Sequence, residues 1–166
     1  MNIIALAGYA GSGKTTIARV LAKMIQPRPQ ILSFAGVLKE KIAEALDVGL
    51  DYIDANKPMI RPLLVELGRT GRKVKPTMWI DYLDAYRNRD TTTLIDDCRY
   101  ANEAHYVLGA GGIVVYIIRP GAHPANDEED TSIAELLRLY DPPYIANVRT
   151  PEIAAAMILE LVKAKL

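Results

Sequence analysis

Residues Gly8-Tyr9-Ala10-Gly11-Ser12-Gly13-Lys14-Thr15 fit the pattern G-x-x-x-x-G-K-[ST] in full, and nothing else in the chain constrains its fold as strongly. The glycines let backbone N–H groups converge on an anion while the following helix directs its positive end at it. That geometry needs a buried strand before the loop and a helix after it. Both are legible. Asn2–Ala7 is a short apolar run stopped by Gly8, as a strand buried on both faces would be. Ile17, Val20, Leu21 and Met24 follow at helical spacing, and Pro27 and Pro29 close the segment. The expected ligand is ATP, its phosphates held by Ala10, Gly11, Ser12, Gly13, Lys14, Thr15 and Thr16. Lys14 would bridge the β- and γ-phosphates, and the Thr15 hydroxyl would hold Mg²⁺.

Downstream, strand and helix signals alternate. Gln30–Ser33 is a brief strand, and Val37, Leu38, Ile42, Ala45 and Leu46 mark a helix. Asp51–Pro58 reads as a polar connection; Pro62–Gly68 and Thr77–Tyr86 read as helices joined by a basic turn at Arg69–Lys73. Thr91–Ile95 is a β-branched strand running into Asp96-Asp97, Ala101–Leu108 a helix, and Ile113–Ile118 the most hydrophobic strand and therefore a central one. Gly121–Asp130 reads as an exposed acidic loop, Ser132–Tyr140 as a helix and Pro143–Val148 as a last strand. Thr150–Leu166 is a last helix with a Thr cap and Pro151 at its first position. The expectation is an α/β fold: a P-loop NTPase three-layer sandwich with a mostly parallel, about five-stranded sheet. At 166 residues the chain has the size of one domain.

Composition narrows the function classes. Lys plus Arg equal Asp plus Glu at 20 each, which argues against a protein that coats nucleic acid or an anionic membrane. The single cysteine, Cys98, excludes an internal disulfide. No apolar run approaches the ~18 residues of a membrane span, and the first residues lack the pattern of a secretory leader.

Two further features suit phosphoryl transfer. A strand ending in Asp96-Asp97 is where a phosphate-loop protein places the carboxylate that orders magnesium; spacing alone leaves open which aspartate serves metal and which serves substrate. Arg61, Arg69, Arg72, Arg99 and Arg119 lie at helix ends, turns or strand ends, and fixed cations offset the repulsion between two anionic substrates. Arg99 stands out because it follows the aspartates at the carboxyl edge of the sheet, where ligands bind. Trp79 either stacks a base or packs in a core. No Asn-Lys-x-Asp base-reading motif is present, since Asn56-Lys57 continues Pro-Met, which argues against a GTPase switch. A small-molecule kinase and an ATP-binding regulatory or assembly module remain.

At this point the chain resembles a family. Ser33-Phe-Ala-Gly-Val-Leu-Lys-Glu40, Arg61-Pro-Leu-Leu-Val-Glu-Leu-Gly68, Met78-Trp79-Ile80 and above all Ile95-Asp-Asp-Cys-Arg99-Tyr-Ala-Asn-Glu103-Ala104 are similar to segments of the phage-type deoxynucleoside monophosphate kinases. The resemblance runs from the phosphate loop to Ile145-Ala-Asn147. It implies Mg²⁺-dependent phosphorylation of a dNMP by ATP for nucleotide supply, in the cytoplasm (the host's, if the chain is phage-encoded). Its partners would be small molecules, and a homodimer stays open. It implies dNMP contacts from Trp79, Asp97, Arg99 and Glu103, with Arg61, Arg69 and Arg72 as further acceptor cations and Asn147 on the ATP side. Asp97, Arg99, Lys14 and Arg119 form the catalytic set carried forward, with Thr15 and Asp96 as the metal residues. Helices at about 35–88 would bind the acceptor, and a lid would span about 120–138. The chain departs from the family pattern at Gly36-Val37, Val65 and Ala101, so base selectivity is not readable. Another small-metabolite kinase, resembling dephospho-coenzyme A kinase, is the alternative.

Overall fold

The computed structural model describes residues 3–147 and 149–165. The first apolar run forms β1 (Ile3–Ala7), buried throughout, and the glycine loop leads into α1 (Lys14–Met24). With β2 (Gln30–Leu32), β3 (Thr93–Cys98), β4 (Ile113–Ile118) and β5 (Tyr144–Ala146) it builds one sheet in the order β2-β3-β1-β4-β5. Every pairing is parallel. The crossovers after β3 and β4 use α6 (Ala101–Gly109) and α7 (Asp127–Tyr140), and α8 (Pro151–Ala164) follows β5. This is the expected α/β architecture. Leu6, Ile17, Leu21, Val115, Ile117 and Ile158 belong to one core that joins the sheet to α1 and α8, each such side chain contributing roughly 1.5–3 kcal/mol on burial.

The chain divides into two compact units, Met1–Leu32 with Arg87–Leu166, and Ser33–Tyr86. The second unit holds α2 (Phe34–Leu46), α3 (Leu50–Ala55), α4 (Lys57–Val74) and α5 (Met78–Tyr86). Ile42, Ala43, Ile53 and Ile60 give it a core of its own, which is why an insertion between β2 and β3 closes on itself.

Four local expectations give way. Helix α3 forms inside the supposed polar connection, anchored by fully buried Ile53. Helix α4 runs unbroken through Pro62 and through the supposed turn at Arg69–Lys73. Pro62 is its sixth residue, so only one backbone bond is forgone, close to the end where donors lack partners anyway. Gly71 is a packing glycine: a Cβ there would lie 2.6 Å from Cζ2 of Trp79. Helix α7 starts at Asp127 rather than Ser132, because the Asn126 side chain accepts from the Glu129 N–H at 2.8 Å. Four acidic residues then occupy its first turn, where the helix dipole favours them. Of the stretch read as an exposed acidic loop, Gly121–Asp130, the acidic end from Asp127 onward is therefore helix. Strand β5 is shorter than expected; Val148, like Asn2 and Leu166, lies outside the described residues. No helix among the described residues is long and apolar enough to cross a membrane.

Candidate active site

Parallel strands bring their carboxyl ends to one edge of the sheet, and four of them deliver the site. Strand β1 leads into Gly8–Thr15, β3 carries Asp96 and Asp97 and is followed by Arg99, β4 is followed by Arg119, and β5 by Asn147. A cavity of about 410 Å³ there is lined by Ala10, Gly11, Gly13, Lys14, Thr15, Thr16, Asp96, Asp97, Arg99 and Arg119.

The register explains why two successive aspartates reach one cavity. Ala5 pairs with Ile95, but Ala7 pairs with Cys98, so β3 carries one extra residue across Asp96-Asp97. Strict pleating would send neighbours to opposite faces; a bulge breaks that alternation. Asp96 is the more deeply buried of the two. Cys98, between Asp97 and Arg99, is fully buried and burial pushes its thiol well up, so it is an apolar spacer rather than a nucleophile.

The phosphate loop is held from several sides. At Gly8 φ is +138°, and a Cβ would lie 2.6 Å from the Ile117 carbonyl oxygen. At Gly13 φ is +95°, and a Cβ would collide with the Asn147 amide. That amide donates to Ser12 O at 2.9 Å. Arg119 Nη1 donates to Gly11 O at 3.3 Å. Lys14 Nζ donates to Gly8 O and Tyr9 O, both at 2.7 Å, and to Ser12 Oγ at 3.3 Å. The ammonium is thus parked on the loop's own carbonyls. Burial, helped by the Arg99 charge, lowers its pKa to about 8.

Arg99 pairs with Glu129, Nη1 to Oε1 at 2.8 Å. Glu129, only 4 % exposed, also accepts from Ala10 N–H at 3.1 Å and Ala125 N–H at 2.6 Å. Its neighbours tie down the same helical turn. Tyr9 OH donates to Asp130 at 2.7 Å, which pushes the Tyr9 pKa up to about 12, and Tyr100 OH donates to Glu128 at 2.8 Å. In the sequence Glu129 reads only as part of the exposed acidic loop and the lid, with no site role of its own. A signal existed: with Asn126 as cap, Glu129, Ile133 and Leu136 fall on one helical stripe, and all three are buried.

Several expected roles change. Glu103 is buried and its Oε2 accepts from the N–H groups of Arg99 and Tyr100 at 2.8 and 3.1 Å. It caps α6, and an acceptor-facing role gives way to a structural one. Asn147, expected on ATP, holds the loop that would hold ATP. Trp79 takes the core alternative: it is 5 % exposed, with its indole N–H donating to Gly68 O at 3.0 Å. Trp79, Arg61, Arg69 and Arg72 all belong to the second unit. Arg61 and Arg69 are exposed on α4, Arg69 lying 3.6 Å from Glu66, and Arg72 is half-buried. Of the supposed lid, Ile133 and Leu136 are fully buried, which leaves only the stretch from Arg119 to Asn126 able to move without breaking the core.

No protein-family model matches this sequence, and no curated protein matches it. Solved structures do. Shikimate kinase from Aquifex aeolicus superposes with a TM-score of 0.58 at 16% identity, over 98% of this chain and 96% of that one. Shikimate kinase from Acinetobacter baumannii, solved with shikimate, gives 0.54 at 19% identity over 99% and 94%. The enzyme from Bacteroides thetaiotaomicron gives 0.54 at 17% identity over 98% of each chain. At such identities the likeness is one of fold: the chain has the phosphate-loop fold that the shikimate kinases share.

Proposed function

We propose that the protein is an ATP-dependent phosphotransferase whose acceptor is a deoxynucleoside monophosphate, converted to the diphosphate. The observation that carries this reading is that Arg99, inside the Asp96–Glu103 block that resembles the dNMP kinases, lines the same cavity as a complete phosphate loop. A guanidinium grips a phosphate at two points, which suits an acceptor that is itself a phosphate. Lys14 would leave the loop carbonyls for the transferring phosphoryl group, and Arg119 would add a second cation as charge spreads. Among the described residues no cluster of three His, Cys, Asp or Glu forms a metal cage. Thr15 and Asp96 nevertheless suit Mg²⁺, which binds through one or two protein oxygens with phosphate and water completing its shell. When bound, it would neutralise charge on the phosphates.

A second reading has its own support. Asp97 lines the cavity, and a carboxylate there could take the proton of a hydroxyl acceptor. The fold likeness to proteins that phosphorylate small metabolites points the same way. Coupled ADP release over the four dNMPs, dephospho-coenzyme A and shikimate separates the readings. Stimulation by a dNMP supports the proposal, and stimulation only by a hydroxyl compound moves it to the second reading. ATP turnover indifferent to every acceptor would make the protein an ATP-binding module.

A further inference from the structure

A carboxylate shut away from water is costly unless its oxygens are fully engaged. Glu129 meets that condition with donors from three separate segments: Ala10 N–H in the phosphate loop, the Arg99 guanidinium after β3, and Ala125 N–H ahead of its own helix. The helix carrying it is fixed below by Ile133 and Leu136 and beside it by the Tyr9–Asp130 and Tyr100–Glu128 bonds. Glu129 therefore has a rigid base and two partners that both line the cavity. Arg99 has five N–H donors, and with Nη1 held by Glu129 the rest of the fork stays partly open to solvent, its side chain 39% exposed. A flexible arginine left to itself would sample many rotamers; this one has its direction set.

We infer that Glu129 is a positioning residue: braced by the Ala10 N–H, it aims the Arg99 guanidinium for an anionic acceptor group. This rests on the phosphotransfer reading only in taking Arg99 as the acceptor's grip. An alternative is that the carboxylate stands where a ligand phosphate belongs and must be displaced. The two make opposite demands on the same variant.

The test compares the wild type with Glu129→Gln, which keeps the shape and loses the charge, and Glu129→Asp, which keeps the charge and loses the reach. Glu135→Gln, on the exposed face of α7, is the control. Guanidinium ¹⁵N spectra of the ligand-free protein should show hindered rotation of Arg99 in the wild type and control, and fast rotation in both Glu129 variants. With the acceptor that the wild type phosphorylates, acceptor KM should rise and kcat fall. The drop in kcat/KM should reach at least ~10-fold, as expected when a charge-assisted hydrogen bond is lost, while the ATP Kd stays within about 3-fold. Arg99→Lys combined with Glu129→Gln should be little worse than Arg99→Lys alone. A freely rotating Arg99 in the wild type, additive losses in the double variant, or tighter binding and faster turnover in Glu129→Gln would each overturn the inference. If the wild type phosphorylates none of the acceptors, the phosphotransfer reading fails, and the Arg99 spectra still decide whether Glu129 positions it.

Discussion

The side-chain amide of Asn147 donates to the carbonyl oxygen of Ser12 at 2.9 Å across 135 residues of sequence. The residue that follows the edge strand β5 thereby fixes the loop that follows the central strand β1. A loop whose amides must point inward at an anion needs its carbonyls engaged elsewhere, and Asn147, Arg119 and Lys14 engage those of Gly8, Tyr9, Gly11 and Ser12.

Asn147→Ala should therefore weaken ATP binding about 5-fold, the effect of one hydrogen bond of roughly 1 kcal/mol, while the protein stays folded. Asn147→Asp should be worse, since a carboxylate would face the Ser12 carbonyl. Titration calorimetry with a thermal melt checks both, and unchanged ATP affinity in either variant would remove the clamp.

Lys14 gives a pH-dependent expectation. Unfolded, its ammonium titrates near its ordinary 10.5; folded without nucleotide, near 8. Between these values the unfolded chain binds more protons, so this residue's contribution to stability rises with pH through that window. Going from pH 7 to 9.5, the wild type should gain about 2 kcal/mol relative to Lys14→Met, from roughly 1.4 kcal/mol per pH unit above 8. Urea melts at the two pH values measure it; a constant difference would show that the buried ammonium is not shifted. Lys14→Met should also fold and turn over no acceptor.

Closure should be local. A bisubstrate analogue should slow amide exchange over residues 119–126 more than ATP does, and leave 132–138 nearly unchanged because the buried face of α7 is already locked. Equal protection by ATP alone, or a change spread along α7, would contradict this.

The order of strands and helices was legible because Ile3–Ala7 and Ile113–Ile118 are apolar runs bounded by glycines or charge, and the phosphate loop because glycine and lysine stand at fixed offsets. Glu129 has no legible role because an acidic run in a turn-rich stretch reads as a solvated loop, and only the tertiary arrangement of Ala10 and Arg99 makes one of its members a buried partner. For Trp79 and Glu103 the acceptor contact is what the resemblance implies, and neither resemblance nor spacing shows what covers a residue's face. Helix α4 was cut short because Pro62 and Gly71 are breakers by propensity, whereas in the fold one sits near a helix start and the other makes room for an indole ring.

On the proposed function, Arg99 is the grip on the acceptor phosphate. Arg99→Lys keeps the charge and loses the planar two-point contact. Steady-state transfer of labelled γ-phosphate from ATP to the dNMP, with Arg138→Lys on the exposed face of α7 as control, measures it directly. The expected result is a kcat/KM for the dNMP at least ~10-fold lower in Arg99→Lys, by the roughly 1.5–3 kcal/mol of a charge-assisted hydrogen bond, with the KM for ATP unchanged and the control near wild type. Loss of ATP binding with the dNMP KM intact would contradict it and move the acceptor site away from Arg99.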